Sequence, residues 1–138
     1  MNVLVDSSVW IAYFRGASDL PPLDWLIEEG LVVTNDLILA ELTPKLVVRG
    51  ERKLVGLLRE IERVPLTLDW KDIIEMQVTC LRNGINKVGI PDLIVAQHAM
   101  QHNLSLFSLD KHFRLLSKHV ALKLQFVVAR PASRMDLL

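Results

Sequence analysis

Hydrophobic positions fall into two alternating patterns along the chain. Short unbroken apolar runs, as in strands buried on both faces, occupy residues 3–5 and 31–33, and Leu104 to Phe107, apolar but for Ser105, reads as a further strand. Between them, apolar residues recur at helical spacing. Ser7 or Ser8 caps a helix carrying Val9, Trp10, Ile11 and Phe14, ended by Gly16. Pro21-Pro22 opens a short helix over 23–29, and Thr34 or Asn35 caps one that reaches Val48 before Gly50. Pro44 lies inside that helix and is expected to kink it near Ala40–Glu41. Residues 51–63 have helical spacing, 64–68 read as a third strand with Pro65 suiting a sheet edge, and Asp69 starts a helix ended by Asn83-Gly84. Pro91-Asp92 opens a helix that ends near Asn103, 110–119 is a short helix, and 122–128 a last strand. This alternation predicts an α/β fold with a four- or five-stranded, mainly parallel sheet flanked by helices.

The chain has 138 residues, 51% hydrophobic and 23% charged. That suits one domain, 1–138, with a sizeable core, and excludes disordered and fibrous classes. The longest apolar run, 9–14, is far short of the about 20 residues of a membrane helix. The N-terminus has no basic stretch and meets Asp6 at once, unlike a signal peptide. A single cysteine, Cys80, allows no internal disulfide, so a reducing, cytoplasmic setting is expected. The formal net charge is zero, but residues 1–44 hold seven acids against Arg15 alone, whereas 111–138 hold six bases against Asp136 alone. Such a split suits a polyanion-binding surface, and equally two solvated faces. A mean hydropathy of +0.30 hints at a partner surface.

Four carboxylates stand out by position. Asp6 follows the first strand and Asp110 the run 104–107, which places both beyond the carboxyl ends of parallel strands, where α/β sheets bind ligands. Asp92 sits in a first helical turn, where the helix dipole favours its ionised form. Glu41 interrupts the apolar stretch 37–42 and is expected on the packed side of its helix, at a cost unless it has a partner. Asp6, Asp92 and Asp110 also suit simple helix caps. Carboxylates brought together repel unless a cation joins them, and hard oxygen ligands without cysteine suit Mg²⁺ or Mn²⁺. One or two such ions can activate water and clamp a phosphoryl oxygen, which is the chemistry of phosphodiester hydrolysis. His98 and His102 have a zinc-compatible spacing but no third ligand, and Ala99 breaks the H-E-x-x-H pattern.

Four segments occur in order: Val3-Leu4-Val5-Asp6-Ser7-Ser8-Val9-Trp10-Ile11, Asn35-Asp36-Leu37-Ile38-Leu39-Ala40-Glu41-Leu42, Gly89-Ile90-Pro91-Asp92-Leu93-Ile94-Val95-Ala96 and Leu106-Phe107-Ser108-Leu109-Asp110-Lys111-His112-Phe113. In register over residues 3–113 they resemble a PIN domain, and within that family the small toxin ribonucleases of VapC type. The resemblance implies that Asp6, Glu41, Asp92 and Asp110 form a catalytic, metal-binding quartet for Mg²⁺ or Mn²⁺. It implies an RNA substrate, a small cognate antitoxin and a homodimer, with Ser8 as a hydroxyl near the site and Ser108 where threonine is common. His112 departs from a second aspartate often found there, and Pro44 bears on how Glu41 is aimed. A housekeeping PIN nuclease acting on RNA or structured DNA is the alternative within the family. Outside it stand a receiver domain with Asp69 as phospho-acceptor, an adhesion-type metal module and a haloacid-dehalogenase phosphatase. Asp6-Ser7-Ser8 lacks the paired acids of the first and the second aspartate of the last, and Trp10 spoils the D-x-S-x-S of the adhesion module.

Overall fold

The computed structural model describes residues 2–16 and 21–125. In chain order the elements are β1 (Val3–Val5), α1 (Ser7–Phe14), α2 (Pro21–Glu28), β2 (Val32–Thr34), α3 (Asp36–Val48), α4 (Arg52–Glu60), β3 (Glu62–Arg63), α5 (Trp70–Arg82), α6 (Ile90–Gln101), β4 (Ser105–Phe107), α7 (His112–Ser117) and β5 (Lys123–Leu124). The sheet order is β3-β2-β1-β4-β5, and all four pairings are parallel. The expected parallel α/β architecture is therefore present. β1 and β2 are buried at every position, and Leu4 pairs with Val33 on one side and Leu106 on the other. Leu4, Trp10, Ile38, Leu93, Leu106 and Phe113 fill the core around this centre.

The order in which strands are added across the sheet reverses at β1, with every strand still parallel. The connection through α1 and α2 leads to β2 on one side, while β4 arrives on the other. The crevice of such a sheet opens at this switch point, beyond the carboxyl ends of the strands. It is the edge from which Asp6, Asn35 and Ser108 emerge.

Helix ends follow the expected chemistry. Asn35, not Thr34, caps α3, its Oδ1 accepting the Ile38 N–H at 2.9 Å. Gly50 closes the same helix with φ +70°: its N–H reaches the Val47 carbonyl and the Glu51 N–H the Leu46 carbonyl. α3 runs unbroken through Pro44, whose missing N–H leaves the carbonyl of solvent-exposed Ala40 to water.

Two expectations need correction. The third strand is not 64–68 but Glu62–Arg63, and α4 stops at Glu60 to let that pair form. Val64 still donates to the Thr34 carbonyl at 2.9 Å, but Pro65 has no N–H to continue the ladder. β3 is an edge strand, as the proline suggested. Asp69 accordingly caps α5 through the Asp72 N–H instead of ending a strand, which removes the placement a receiver phospho-acceptor needs. The final strand covers only Lys123–Leu124: Leu122 and Gln125 of the expected 122–128 strand lie outside it, and 126–128, like Arg130 and Arg134, lie outside the described residues. Among the described residues no helix is long and apolar enough to cross a membrane.

Candidate metal centre

Asp6 stands where the cap of α1 would be, with extended backbone, yet its side chain caps nothing. Its carboxylate is nearly buried, 7% exposed. Oδ2 instead accepts the hydroxyls of Ser8 at 2.8 Å and Ser108 at 2.9 Å. Each hydroxyl has one proton, and its oxygen is engaged from behind: Ser8 accepts the Leu109 N–H at 3.1 Å, and Ser108 the Asp110 N–H at 3.0 Å. Backbone donors of the β4–α7 loop thus orient both hydroxyls toward Asp6. A buried carboxylate needs such donors to stay ionised.

Asp92 and Asp110 each hold one oxygen in local structure. Asp92 Oδ2 accepts the Gly89 N–H at 3.1 Å, closing the first turn of α6. Asp110 Oδ1 accepts both the backbone N–H of His112 at 2.9 Å and its ring Nδ1 at 2.6 Å. His112, the departure from a second aspartate, thus faces the fourth acid as a hydrogen-bond partner. In all three aspartates the other oxygen has no hydrogen bond among the described residues.

Glu41 is not on the packed side of α3. Ile38, Leu42 and Leu46 form the buried stripe, and Glu41 is exposed beside it. Its carboxyl end borders a groove of about 160 Å³ between α1, α3 and α4, lined by Ile11, Phe14, Leu42, Leu54 and the bases Arg15, Lys45 and Arg49. A second recess, about 190 Å³, opens on the far side of the centre against Ser108, Asp110, Lys111 and Phe113.

Two of the four acids, Glu41 and Asp92, have raised carboxyl pKa values. Partial burial pushes the Glu41 carboxyl above its ordinary value, and the charges of Asp6 and Asp92 add to the rise. Burial likewise raises Asp92. The Gly89 N–H opposes this, Asp110 and Asp6 reinforce it, and His112 opposes it. Among the described residues no three His, Cys, Asp or Glu side chains are gathered at metal-binding separation. The structure therefore does not draw the four acids into one cluster: Glu41 borders one recess and Asp110 another. Their donor set nonetheless fits a hard divalent cation: oxygen throughout, one oxygen of each aspartate without a hydrogen bond, and mutual repulsion that a cation would relieve. Cys80 is buried in the core, away from this chemistry, as are Trp10 and Leu58.

This repulsion gives a stability prediction. Because the folded state raises the Glu41 pKa, ionised Glu41 opposes folding above that raised value, and the penalty disappears as pH falls to the ordinary glutamate value of about 4.3. In chelator at pH 7, Glu41→Gln is expected to melt about 1–2 °C above wild type, a small shift because solvent screens an exposed group. The gain should vanish by pH 4. A thermal scan across pH checks it, and an equal or lower melting point at pH 7 would show that Glu41 carries no such strain.

Sequence reasoning flagged Ser8 and Ser108 but not their shared role on one oxygen of Asp6. It weighed His98 only as a zinc ligand. His98 is buried and binds Asn35, with its ring 4.8 Å from that of exposed His102, and it belongs to no metal cluster among the described residues.

The chain is thus a parallel α/β domain with the buried Asp6 carboxylate at the switch point of its sheet. The PIN domain family model matches residues 3–119, and the chain belongs to the PIN-domain family, a class of nuclease domains. No curated protein matches the sequence. Among solved structures, VapBC2 from Rickettsia felis bound to a DNA fragment from its promoter is similar at 18% identity and a TM-score of 0.71, over 91% of this chain and 98% of that one. VapBC-1 from nontypeable Haemophilus influenzae is similar at 17% identity and 0.70, over 92% and 98%. VapBC-5 from Mycobacterium tuberculosis, of the VapBC family of toxin–antitoxin systems, is similar at 20% identity and 0.66, over 90% and 98%.

Proposed function

We propose that this PIN domain is a Mg²⁺- or Mn²⁺-dependent endoribonuclease and the toxin of a toxin–antitoxin pair, with Asp6, Glu41, Asp92 and Asp110 holding the metal. The observation that carries the reading is the buried Asp6 carboxylate at the switch point, its Oδ2 held by two serine hydroxyls and its charge helping burial to raise the carboxyl pKa values of both Glu41 and Asp92. A bound divalent ion would supply Lewis-acid polarisation of a phosphoryl oxygen and lower the pKa of an attacking water. The chain's own residues prepare the site. Ser8 and Ser108 fix Asp6 so that a single oxygen is offered, and the Gly89 N–H does the same for Asp92. Arg15, Lys45 and Arg49, beside Glu41, supply positive charge for a polynucleotide backbone. Arg63 is spoken for, 3.0 Å from Asp36. Incubation of a single-stranded RNA with the protein in Mg²⁺, in Mn²⁺ and in chelator tests the activity. Intact RNA in all three would refute it.

The toxin half of the reading draws on the solved structures, whose descriptions are of toxin–antitoxin complexes. On α4, Leu58 is 2% exposed and belongs to the core. Leu54 instead lines the groove beside Glu41 together with Ile11, which is 40% exposed. A partner helix laid there would cover apolar side chains and reach the catalytic acids. Ile11→Glu is expected to weaken antitoxin binding about 10- to 30-fold, the cost of one well-placed interface residue. Calorimetry with the product of an adjacent small reading frame checks this, and unchanged affinity would move the partner elsewhere. A homodimer is supported by the exposed apolar stripe Trp70, Ile74, Val78 and Leu81 on α5.

A further inference from the structure

Asn35 leaves β2 as Asp6 leaves β1: Leu4 pairs with Val33, so the two residues stand at the same level of adjacent strands. Asn35 is fully buried, and His98, from the last turn of α6, is 1% exposed. The Asn35 amide and His98 Nδ1 are 3.0 Å apart. Their chemistry fixes which group donates. The Ile38 N–H can only donate, so it is Asn35 Oδ1 that faces it. Nδ2 therefore points at His98 and donates. His98 Nδ1 must then be unprotonated, and the ring is the neutral tautomer with hydrogen on Nε2. Burial, then the neighbouring His102, hold its pKa below the ordinary histidine value, consistent with that neutral ring. Nε2 lies near the Val64 and Pro65 carbonyls but has no hydrogen-bond partner of good geometry among the described residues.

The location of this bond gives it a consequence. Glu41 is six residues beyond Asn35 on α3, and Asp92 six residues before His98 on α6, in each case about 9 Å along the helix. α3 packs chiefly on α1 and α4, and α6 on α5 and β4, and the two helices share little direct packing. Two carboxylates that must meet at one ion are thus carried by helices whose direct tie is Asn35–His98.

Resting on the metal-dependent reading above, we propose that the Asn35–His98 hydrogen bond is a positioning device, setting α3 against α6 and so the approach of Glu41 to Asp92. His98 touches neither metal nor substrate in this role. It acts through Asn35, which caps the helix that bears Glu41.

Three variants separate positioning from bulk stability. Asn35→Ser keeps a good helix cap but loses the amide donor. His98→Leu keeps the volume but loses the acceptor. His98→Asn restores an acceptor at the place of Nδ1. Titration of metal-free protein with Mn²⁺ alone, at a temperature where melting curves show each variant folded, is the readout. Asn35→Ser and His98→Leu are expected to bind Mn²⁺ about tenfold more weakly, with His98→Asn within about twofold of wild type, a loss in the range known for groups that orient metal ligands. Wild-type Mn²⁺ affinity in folded Asn35→Ser, or no recovery in His98→Asn, would overturn the proposal. A wild type that takes up no Mn²⁺ would instead contradict the metal-dependent reading. Amide exchange then decides the tie itself: it predicts faster exchange at Ile38 in His98→Leu and recovery in His98→Asn, and unchanged Ile38 exchange would overturn it.

Discussion

Asp6→Asn and Asp92→Asn are each expected to cut RNA cleavage by at least about 100-fold, the upper end of what even outer groups at a metal centre cost, with the circular dichroism spectrum unchanged. The hydrogen bonds explain why the fold survives. At Asp6 the hydroxyls of Ser8 and Ser108 both donate to Oδ2. An asparagine meets those donors with its carbonyl oxygen and turns its NH₂ toward the crevice. At Asp92 the Gly89 N–H enforces the same orientation. In both variants a ligand oxygen is replaced by two outward N–H groups, which repel a cation, while every internal bond is kept. Full activity in either purified variant would remove that residue from the site.

The second large effect is on stability. Mn²⁺ at about ten times its dissociation constant should stabilise wild type by roughly 1.4 kcal/mol through mass action. For a chain of this length that is a rise of about 4–5 °C in melting temperature. Asp92→Asn should start higher in chelator, because it removes a charge that burial and the neighbouring acids Asp110 and Asp6 make unfavourable, and should gain little from Mn²⁺. Ca²⁺ should stabilise wild type too yet support cleavage poorly, since its looser coordination positions water less well. Scanning fluorimetry in chelator, Mg²⁺, Mn²⁺ and Ca²⁺ measures all of this. A wild type indifferent to every ion, with Asp92→Asn no more stable in chelator, would reduce the acids to separate local features.

Much of the fold is legible in the sequence because its signals are local. The apolar runs of β1 and β4, the Asn35 cap, and Gly50 and Asn103 at helix ends each depend on a few neighbouring residues. Asn103, with φ +52°, closes α6 much as Gly50 closes α3. β3 is not legible: Glu62 and Arg63 are both exposed and form a strand only because β2 offers an unpaired edge. Asp6 and Asp110 can be placed beyond the strand ends from the strand–helix order alone. The side-chain settings of the acids cannot. That Asp6 is bonded by hydroxyls 2 and 102 residues away, and that Glu41 is exposed instead of packed in the core, follow from tertiary placement. The Asn35–His98 bond spans 63 residues and joins residue types with commoner roles, a cap and a core ring, so nothing local marks it.

The central claim is that the quartet holds a divalent ion that lets water cut an RNA backbone. The most direct test is single-turnover cleavage of an end-labelled RNA by protein first stripped with chelator and then given Mn²⁺. Product should be absent before the metal and appear after it, with hydrolytic ends of one phosphate and one hydroxyl, and Asp6→Asn should yield none. Cleavage that proceeds in chelator, or ends bearing a 2′,3′-cyclic phosphate from attack by the RNA's own 2′-hydroxyl, would contradict the account.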